Sequence, residues 1–430
     1  MIQISPRSDE TQKGTSSLQF FRRNRPERFD TDSMHAFDTS SNRFYLLTDF
    51  FGSGKVSFDL DIRYRELLEL KNSGKKFIGY IPNGYLPEEL IWACDAVPIP
   101  LCRGGESAPV IASARCLLRF LDPFCRAQIG YRILKEDPLY QNIDLLIVPV
   151  TDNHIRAIAD SWNFYTDVPV HRIGVPHAKT DHGFLYYVDG LHSVKEMLEK
   201  LTGNIITDQR LKQEIILSNE IKDLLRKISL VRALETGPVS GKEFLRLNQA
   251  CLYTNPHRIL EVLGLVYKKA TEKRSIILKR PKVLLTGSTL ALGDYKVYDL
   301  IEQNGVSVAI EEFCEGTKYY WRDVISGGNL LQRLADCYFM KRIPGAFFRG
   351  AARERFQFLL NLIRDFKADG VVWYSLMYRD SFDVEGHLFG NLMKKLEIPF
   401  LQISSEYEDS EKGALQTKIE TFIEILLEAV

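Results

Sequence analysis

The residues of this 430-residue chain that are equipped for chemistry sit just behind apolar runs. In GYIPNGYLPEELIWACDAVPIPLCRGG, Gly79 to Gly105, an apolar run leads through a turn to Glu88 and Glu89, which open a short helical pattern. Carboxylates at a helix start are favoured by free backbone N–H groups and the dipole, which accounts for Glu88. Glu89, if it faces a crevice, would have its proton affinity raised by burial and would suit acid–base work. Arg379 follows the apolar run GVVWYSLMY. Its guanidinium is a planar fork suited to a carboxylate or a phosphate, or else to an ion pair with Asp380 or Asp383 at the strand end. Ser288-Thr289 and Gly316-Thr317 follow two further apolar runs and are candidate ligand contacts.

Seven cysteines, an odd number without a CxxC pair, do not form a disulfide framework and read as reduced thiols of a cytoplasmic protein. Cys94, Cys102, Cys116 and Cys125 lie close enough in sequence to share a metal if their loops converge, although packing as small apolar groups is the commoner use. His171, His177 and His182 lack the i,i+4 spacing of a helical zinc site. FGSGKV (51–56) lacks the first glycine and the final Ser/Thr of a P-loop. LLTGSTLALGD (284–294) follows a strand pattern, but its glycines are too far apart for a dinucleotide fingerprint.

These residues are positioned by alternating strand and helix patterns. Lys76 to Pro82, Val97 to Cys102, 144–150 and 168–176 read as strands of a first parallel sheet, with Asp152 capping the helix NHIRAIADSW. Segments 283–287, 306–313, 370–378 and IPFLQISSE repeat the pattern. Between them, apolar spacing such as Leu211, Ile215, Ile216, Ile221, Leu224 and Leu225 is helical, with no strand signal. The fold class is therefore α/β: two doubly wound parallel-sheet domains joined by a helical segment. The expected division is a polar N-terminal arm (1–55), a first α/β domain (56–205), a helical linker (206–275) and a second α/β domain (276–430). In such sheets ligands bind beyond the carboxyl ends of the strands, which selects the loops after Pro82, Cys102, Val150, Gly287, Phe313, Tyr378 and Ser405.

Lys+Arg and Asp+Glu number 56 each, so no net field draws the chain to nucleic acid or an anionic membrane. No run has the length of a signal peptide core or a membrane span.

Several of these segments together resemble the 2-hydroxyacyl-CoA dehydratase family, which also contains benzoyl-CoA reductase subunits. They are YLPEELIWACDAVPIPLCRGG, TDNHIRAIADSW, VLLTG, EEFCEGTKYYWRDV, DFKADGVVWYSLMYRDSFDVEG and QISSEYEDSEKGALQTKIETFIEIL, in order from about residue 75 to 430. The resemblance implies two flavodoxin- or Rossmann-like domains and a dimer or heterodimer of related subunits acting on an acyl-CoA thioester. It further implies a [4Fe-4S] cluster held by cysteine thiolates between the domains and a separate ATP-hydrolysing activator that delivers one electron.

The sequence departs from that pattern at the ligands. Leu86 stands at the first cluster cysteine and Arg379 at the last, and a guanidinium cannot ligate iron. Cys125 fits the middle one, while a cysteine pair after R-x-P is replaced by Gly345-Ala346-Phe347. The expectation is a chain without most of its own cluster ligands, paired with a cluster-bearing relative. In it Glu89 is the candidate acid–base residue, and Arg379, Ser288, Thr289, Gly316 and Thr317 are candidate contacts to coenzyme A. Two alternatives are a cluster held unusually through Cys125, Cys94 and Cys102, and a non-catalytic scaffold.

Overall fold

The computed structural model describes residues 45–47, 58–135, 137–233, 239–272, 280–346, 348 and 350–429. The polar arm, apart from 45–47, and the FGSGKV segment lie outside the described residues. β1 (Tyr45–Leu47) and β2 (Phe58–Asp59) form a short antiparallel pair. β3 (Phe77–Tyr80), β4 (Val97–Pro100), β5 (Leu145–Val150) and β6 (Val170–Gly174) make one wholly parallel sheet in the order β4-β3-β5-β6. β7 (Lys282–Gly287), β8 (Ser307–Glu312), β9 (Gly370–Leu376) and β10 (Phe400–Ser405) make a second, in the order β10-β9-β7-β8. Numbered within its own half, each sheet has the strand order 2-1-3-4. The architecture is the expected pair of doubly wound, Rossmann-like units.

Strands this apolar must be covered on both faces, and they are: β9 is buried along its whole length and β5 along nearly all of it. The crossover helix Ala352–Phe366 buries Phe358, Leu359, Leu362, Ile363 and Phe366, with Phe356 and Leu360 half-buried. Its apolar stripe is rotated because the helix also buries Arg355 completely. The last helix, Lys412–Ala429, buries Leu415, Ile419, Phe422, Ile423 and Leu426. Four helices, Asp181–Thr202, Asp208–Ala233, Gly241–Tyr253 and Pro256–Glu272, run between the sheets. Ile216, one of the apolar residues of the helical spacing, is exposed on the second of them. Among the described residues no helix is long and apolar enough to cross a membrane.

The two units are stitched at their strand ends. Gly104 N–H donates to Leu292 O at 2.9 Å and Leu292 N–H to Cys102 O at 2.8 Å, a parallel bridge between the loops after β4 and β7. Gly105 (φ +84°) permits this approach, since a side chain there would lie 2.6 Å from Gly293 O.

Candidate functional site

In each sheet the first and third strands are neighbours whose crossovers leave in opposite directions, so a crevice opens beyond their carboxyl ends. Here the two crevices face one another and merge. From β3 come Ile81, Asn83 and Tyr85, from β5 Thr151 and Ile155, from β7 Ser288 and Thr289, and from β9 Arg379 and Phe382. Cys314 and Glu315 follow β8, and Lys318, Arg342, Ile343 and Gly345 complete a cleft with about 540 Å³ of empty space, part of it open to solvent. The loops after Cys102 and Ser405 are not part of it.

Three charged side chains stand out. Arg342 is buried and donates to Lys318 O at 3.2 Å and Asn83 O at 3.3 Å, with its guanidinium 5.1 Å from the Tyr85 ring centroid. Among the described residues no carboxylate forms a salt bridge with it. Lys318, by contrast, is paired with Glu312 at 3.0 Å. Glu315 is 4% exposed, and its Oε2 has no hydrogen-bond partner among the described residues. Burial, opposed in part by backbone hydrogen bonds at Glu315 and Leu290 and less by Lys318 and Arg342, pushes the Glu315 carboxyl up to about 7.

Arg342 reaches this position because residue 84 is glycine. Gly84 has φ +78°, and a Cβ there would sit 1.6 Å from a guanidinium nitrogen. Gly84→Ala should therefore lower stability by about 1–2 kcal/mol through the left-handed backbone alone. It should also drive the guanidinium from its seat. Urea unfolding reads the first effect; an unchanged midpoint would mean that the turn does not hold this conformation.

Arg379 closes the opposite wall. It donates not to Asp380 or Asp383 but across to the first unit, to Asp122 Oδ2 at 3.2 Å and Asp152 Oδ2 at 3.3 Å. Both aspartates are helix caps: Asp122 Oδ1 accepts from Cys125 N–H, and Asp152 Oδ1 from His154 and Ile155 N–H. The predicted Asp152 cap is thus present and does double duty. Burial alone would raise the Asp122 carboxyl, but Arg379 and His154 hold it well below the usual range.

The expected acid–base residue lies elsewhere. Glu89 is fully buried, paired with Lys222 at 3.2 Å, and accepts from the Tyr338 hydroxyl at 2.9 Å. Tyr338 is brought there by a π-helical turn, Asp336–Met340. Neither glutamate of the pair lines the cleft. Glu88, which helix-start electrostatics explained, is buried and pushed up to about 7 by desolvation while bonded to Tyr80. Ser288 and Thr289 do line the cleft; Gly316 and Thr317 do not, because Thr317 Oγ1 turns back to Glu311 O at 2.5 Å. Glu315, Arg342, Lys318 and Asn83 were not singled out from sequence. The available signal was that Glu315 lies in the loop directly after a buried strand.

The cysteines do not converge. Cys94 Sγ donates to Ile91 O at 3.1 Å in one apolar cluster, and burial pushes its thiol up to about 11. Cys102 lies in another cluster, 3.4 Å from the Tyr253 hydroxyl, its thiol pushed up to about 12 mainly by burial. Cys125 is buried beside Asp122, and burial together with that carboxylate holds its thiol well above the ordinary value. Leu86 packs into the core rather than the cleft, whose wall there is Tyr85. Among the described residues no three His, Cys, Asp or Glu side chains are grouped to hold a metal ion. Cys314, whose Sγ donates to Asn83 O at 3.2 Å, is the cysteine that lines the cleft, and Cys125 lies behind Arg379; these two thiols do not fit a [4Fe-4S] cluster, in which each iron needs its own thiolate. The arrangement through Cys125, Cys94 and Cys102 has no geometric support. His177 likewise stands against Thr151 O at 2.6 Å rather than in a histidine cluster.

A family model, 2-hydroxyglutaryl-CoA dehydratase, D-component, matches residues 83–426, which spans the whole second sheet, β4, β5 and β6 of the first, and every residue lining the cleft except Ile81 and Pro82. The chain belongs to this family. It is 23% identical over 366 residues to the dehydratase subunit YjiM of Escherichia coli K12, covering 84% of this chain and 94% of the relative. A benzoyl-CoA reductase subunit of Thauera aromatica is 21% identical over 377 residues, covering 85% and 94%. The beta subunit of (R)-2-hydroxyglutaryl-CoA dehydratase of Acidaminococcus fermentans is 22% identical over 374 residues, covering 84% and 95%. The relatives are subunits of larger complexes, in keeping with a chain that has a partner subunit. In this family member Arg379 walls the cleft and Leu86 packs in the core, the two positions at which the resemblance implied thiolates.

Proposed function

We propose that this protein is the acyl-CoA-binding subunit of a cytoplasmic 2-hydroxyacyl-CoA dehydratase-like or benzoyl-CoA reductase-like complex, and that a related, cluster-bearing polypeptide supplies the low-potential electron. The observation that carries this reading is the cleft at the facing switch points of two Rossmann-like units in a member of this family. Among the described residues it is walled by Arg342, which has no salt-bridged carboxylate, and by Glu315, one of whose carboxyl oxygens has no hydrogen-bond partner. One-electron chemistry on a thioester needs a water-poor pocket that orients the carbonyl, and Tyr85, Phe124, Ile155 and Phe382, all buried, supply apolar walls. The residues of this chain bind and orient the acyl end, exclude water, and hold a proton at Glu315. An ATP-hydrolysing activator and a dehydration or reduction outcome belong to the complex. The scaffold alternative removes the ligand from the account.

Native purification of the tagged full-length chain under anoxia tests the reading. The expected result is a stoichiometric relative of the same family in the eluate, and acyl-CoA binding by the complex in calorimetry. No acyl-CoA binding, alone or in complex, would favour the scaffold.

A further inference from the structure

We propose that Cys314 is an acyl acceptor: its sulfur takes the acyl group of a bound coenzyme A thioester and releases coenzyme A thiol, with Arg342 and Glu315 as its partners in the cleft. The inference rests on the acyl-CoA reading above and adds an activity to it, reversible thioester exchange on this chain's own side chain.

Of the seven cysteines, five are buried and two, Cys116 and Cys314, are half-buried. Cys116 packs against the core, whereas Cys314 lines the cleft. Cys314 Sγ donates to Asn83 O at 3.2 Å and Arg342 donates to the same oxygen at 3.3 Å, so thiol and guanidinium stand side by side. Two facts independent of the cysteine point to a ligand here. Arg342 is a buried cation that lines the cleft, and among the described residues no carboxylate forms a salt bridge with it. Glu315 is also buried and lines the same cleft, and its Oε2 lacks the hydrogen bond that such an atom needs. A nucleophile, a cation and a carboxyl oxygen ready for a proton thus face one space.

The step balances within the cleft. Glu315 takes the thiol proton; its carboxyl is pushed up to about 7 by burial, so acid and base forms coexist near neutrality. The sulfur adds to the thioester carbonyl and a new C–S bond forms. Negative charge gathers on the carbonyl oxygen, where the Arg342 guanidinium stabilises it. Collapse breaks the bond from the carbonyl carbon to the coenzyme A sulfur, and Glu315 returns the proton to the departing thiolate. One thioester replaces another, with no oxidant, reductant or water consumed. The other cations of this wall are engaged elsewhere, Lys318 with Glu312 and Arg379 with Asp122 and Asp152. Tyr85, Phe124 and Phe382, all buried, keep water from the acyl product. Because that product is again a thioester, the carbonyl on which one-electron chemistry acts is preserved.

The test is intact-mass spectrometry on the full-length chain, alone and in complex with the co-purified partner, after incubation with excess butanoyl-CoA under anoxia and an acid quench. Calorimetry reads butanoyl-CoA binding in parallel. The chain should gain a single butanoyl group, labile to hydroxylamine and mapped to Cys314 in peptide digests, with a burst of about one coenzyme A thiol per chain. Cys314 should be acylated at least about tenfold faster than Cys116, because the cleft holds the thioester against it. Cys314→Ala should lose the adduct and Cys116→Ala should keep it. Glu315→Gln and Arg342→Gln should each slow its formation by at least about tenfold. Thermal unfolding of each variant separates lost chemistry from lost folding. Butanoyl-CoA that binds without leaving a hydroxylamine-labile group, or a label that persists in Cys314→Ala, overturns the acyl acceptor while leaving the acyl-CoA reading intact. Neither binding nor label overturns both.

Discussion

Arg355→Met is expected to destabilise the folded protein by about 3–5 kcal/mol, the cost of leaving buried carboxylates without their cation. Arg355 is completely buried and binds Glu312 on β8 at 2.9 Å, Glu385 on the helix Asp380–Lys395, and Gly287 O at the end of β7 at 3.1 Å. It therefore ties together the strands whose ends form one wall of the cleft. Methionine keeps much of the volume, so the loss is electrostatic rather than a cavity effect. The pH dependence has a definite sign. Burial would raise Glu312, but Arg355 and Lys318 hold it below its ordinary value. A carboxyl lowered on folding stabilises above its unfolded pKa, and that contribution fades as pH falls. At pH 5 and above the wild type keeps it in full; in the variant burial outweighs Lys318 at Glu312 and penalises its ionised form as pH rises, so the deficit in urea unfolding should be largest at pH 7 and narrower at pH 5. A deficit below about 1 kcal/mol, the scale of exposed pairs, would contradict the burial of this network.

Arg379→Met should cost about 3 kcal/mol for the same reason and should move acid unfolding to higher pH. The wild-type Asp122 carboxyl is depressed, so its contribution to stability is present above the unfolded carboxylate value and is lost only as pH falls toward the folded one. Without the guanidinium that contribution is largely missing at neutral pH, so the variant starts from a smaller margin and its other acid-sensitive groups unfold it at milder acidity. Arg379→Lys restores only part, because one ammonium cannot serve Asp122 and Asp152 through a planar fork. Acyl-CoA affinity should change little, since both terminal nitrogens of Arg379 are already taken by aspartates. Circular dichroism across a pH titration checks the first claim. An acid midpoint identical to that of the wild type would remove the ion-pair role.

Much of the fold was legible because a parallel sheet buried on both faces leaves unbroken apolar runs, as in LLIVPV and GVVWYSL. The order 2-1-3-4 in both halves was not, because strand order depends on which way each crossover turns. The site was legible in place but less so in residue. The rule about strand ends led to Ser288, Thr289 and Arg379. It could not separate Glu89 from Glu315, because what removes Glu89 from the cleft is Lys222 and Tyr338, both distant in sequence. Nor does a pattern search find Arg342, whose seat depends on a glycine in a turn of the other unit. Arg355 escaped for a similar reason: a charged residue inside an apolar stripe reads as surface until its two carboxylate partners are placed.

The central claim is that this polypeptide cannot assemble an iron–sulfur cluster from its own side chains, because its described cysteines do not converge and Cys125 is held as a buried thiol beside Arg379. Iron and sulfide quantification on the separated full-length chain, purified and reconstituted under anoxia, tests it most directly. A colourless protein with well under one iron per chain is predicted, while iron and brown colour follow the partner. About four irons per chain, with sulfur-to-iron absorption and no other polypeptide present, would contradict it.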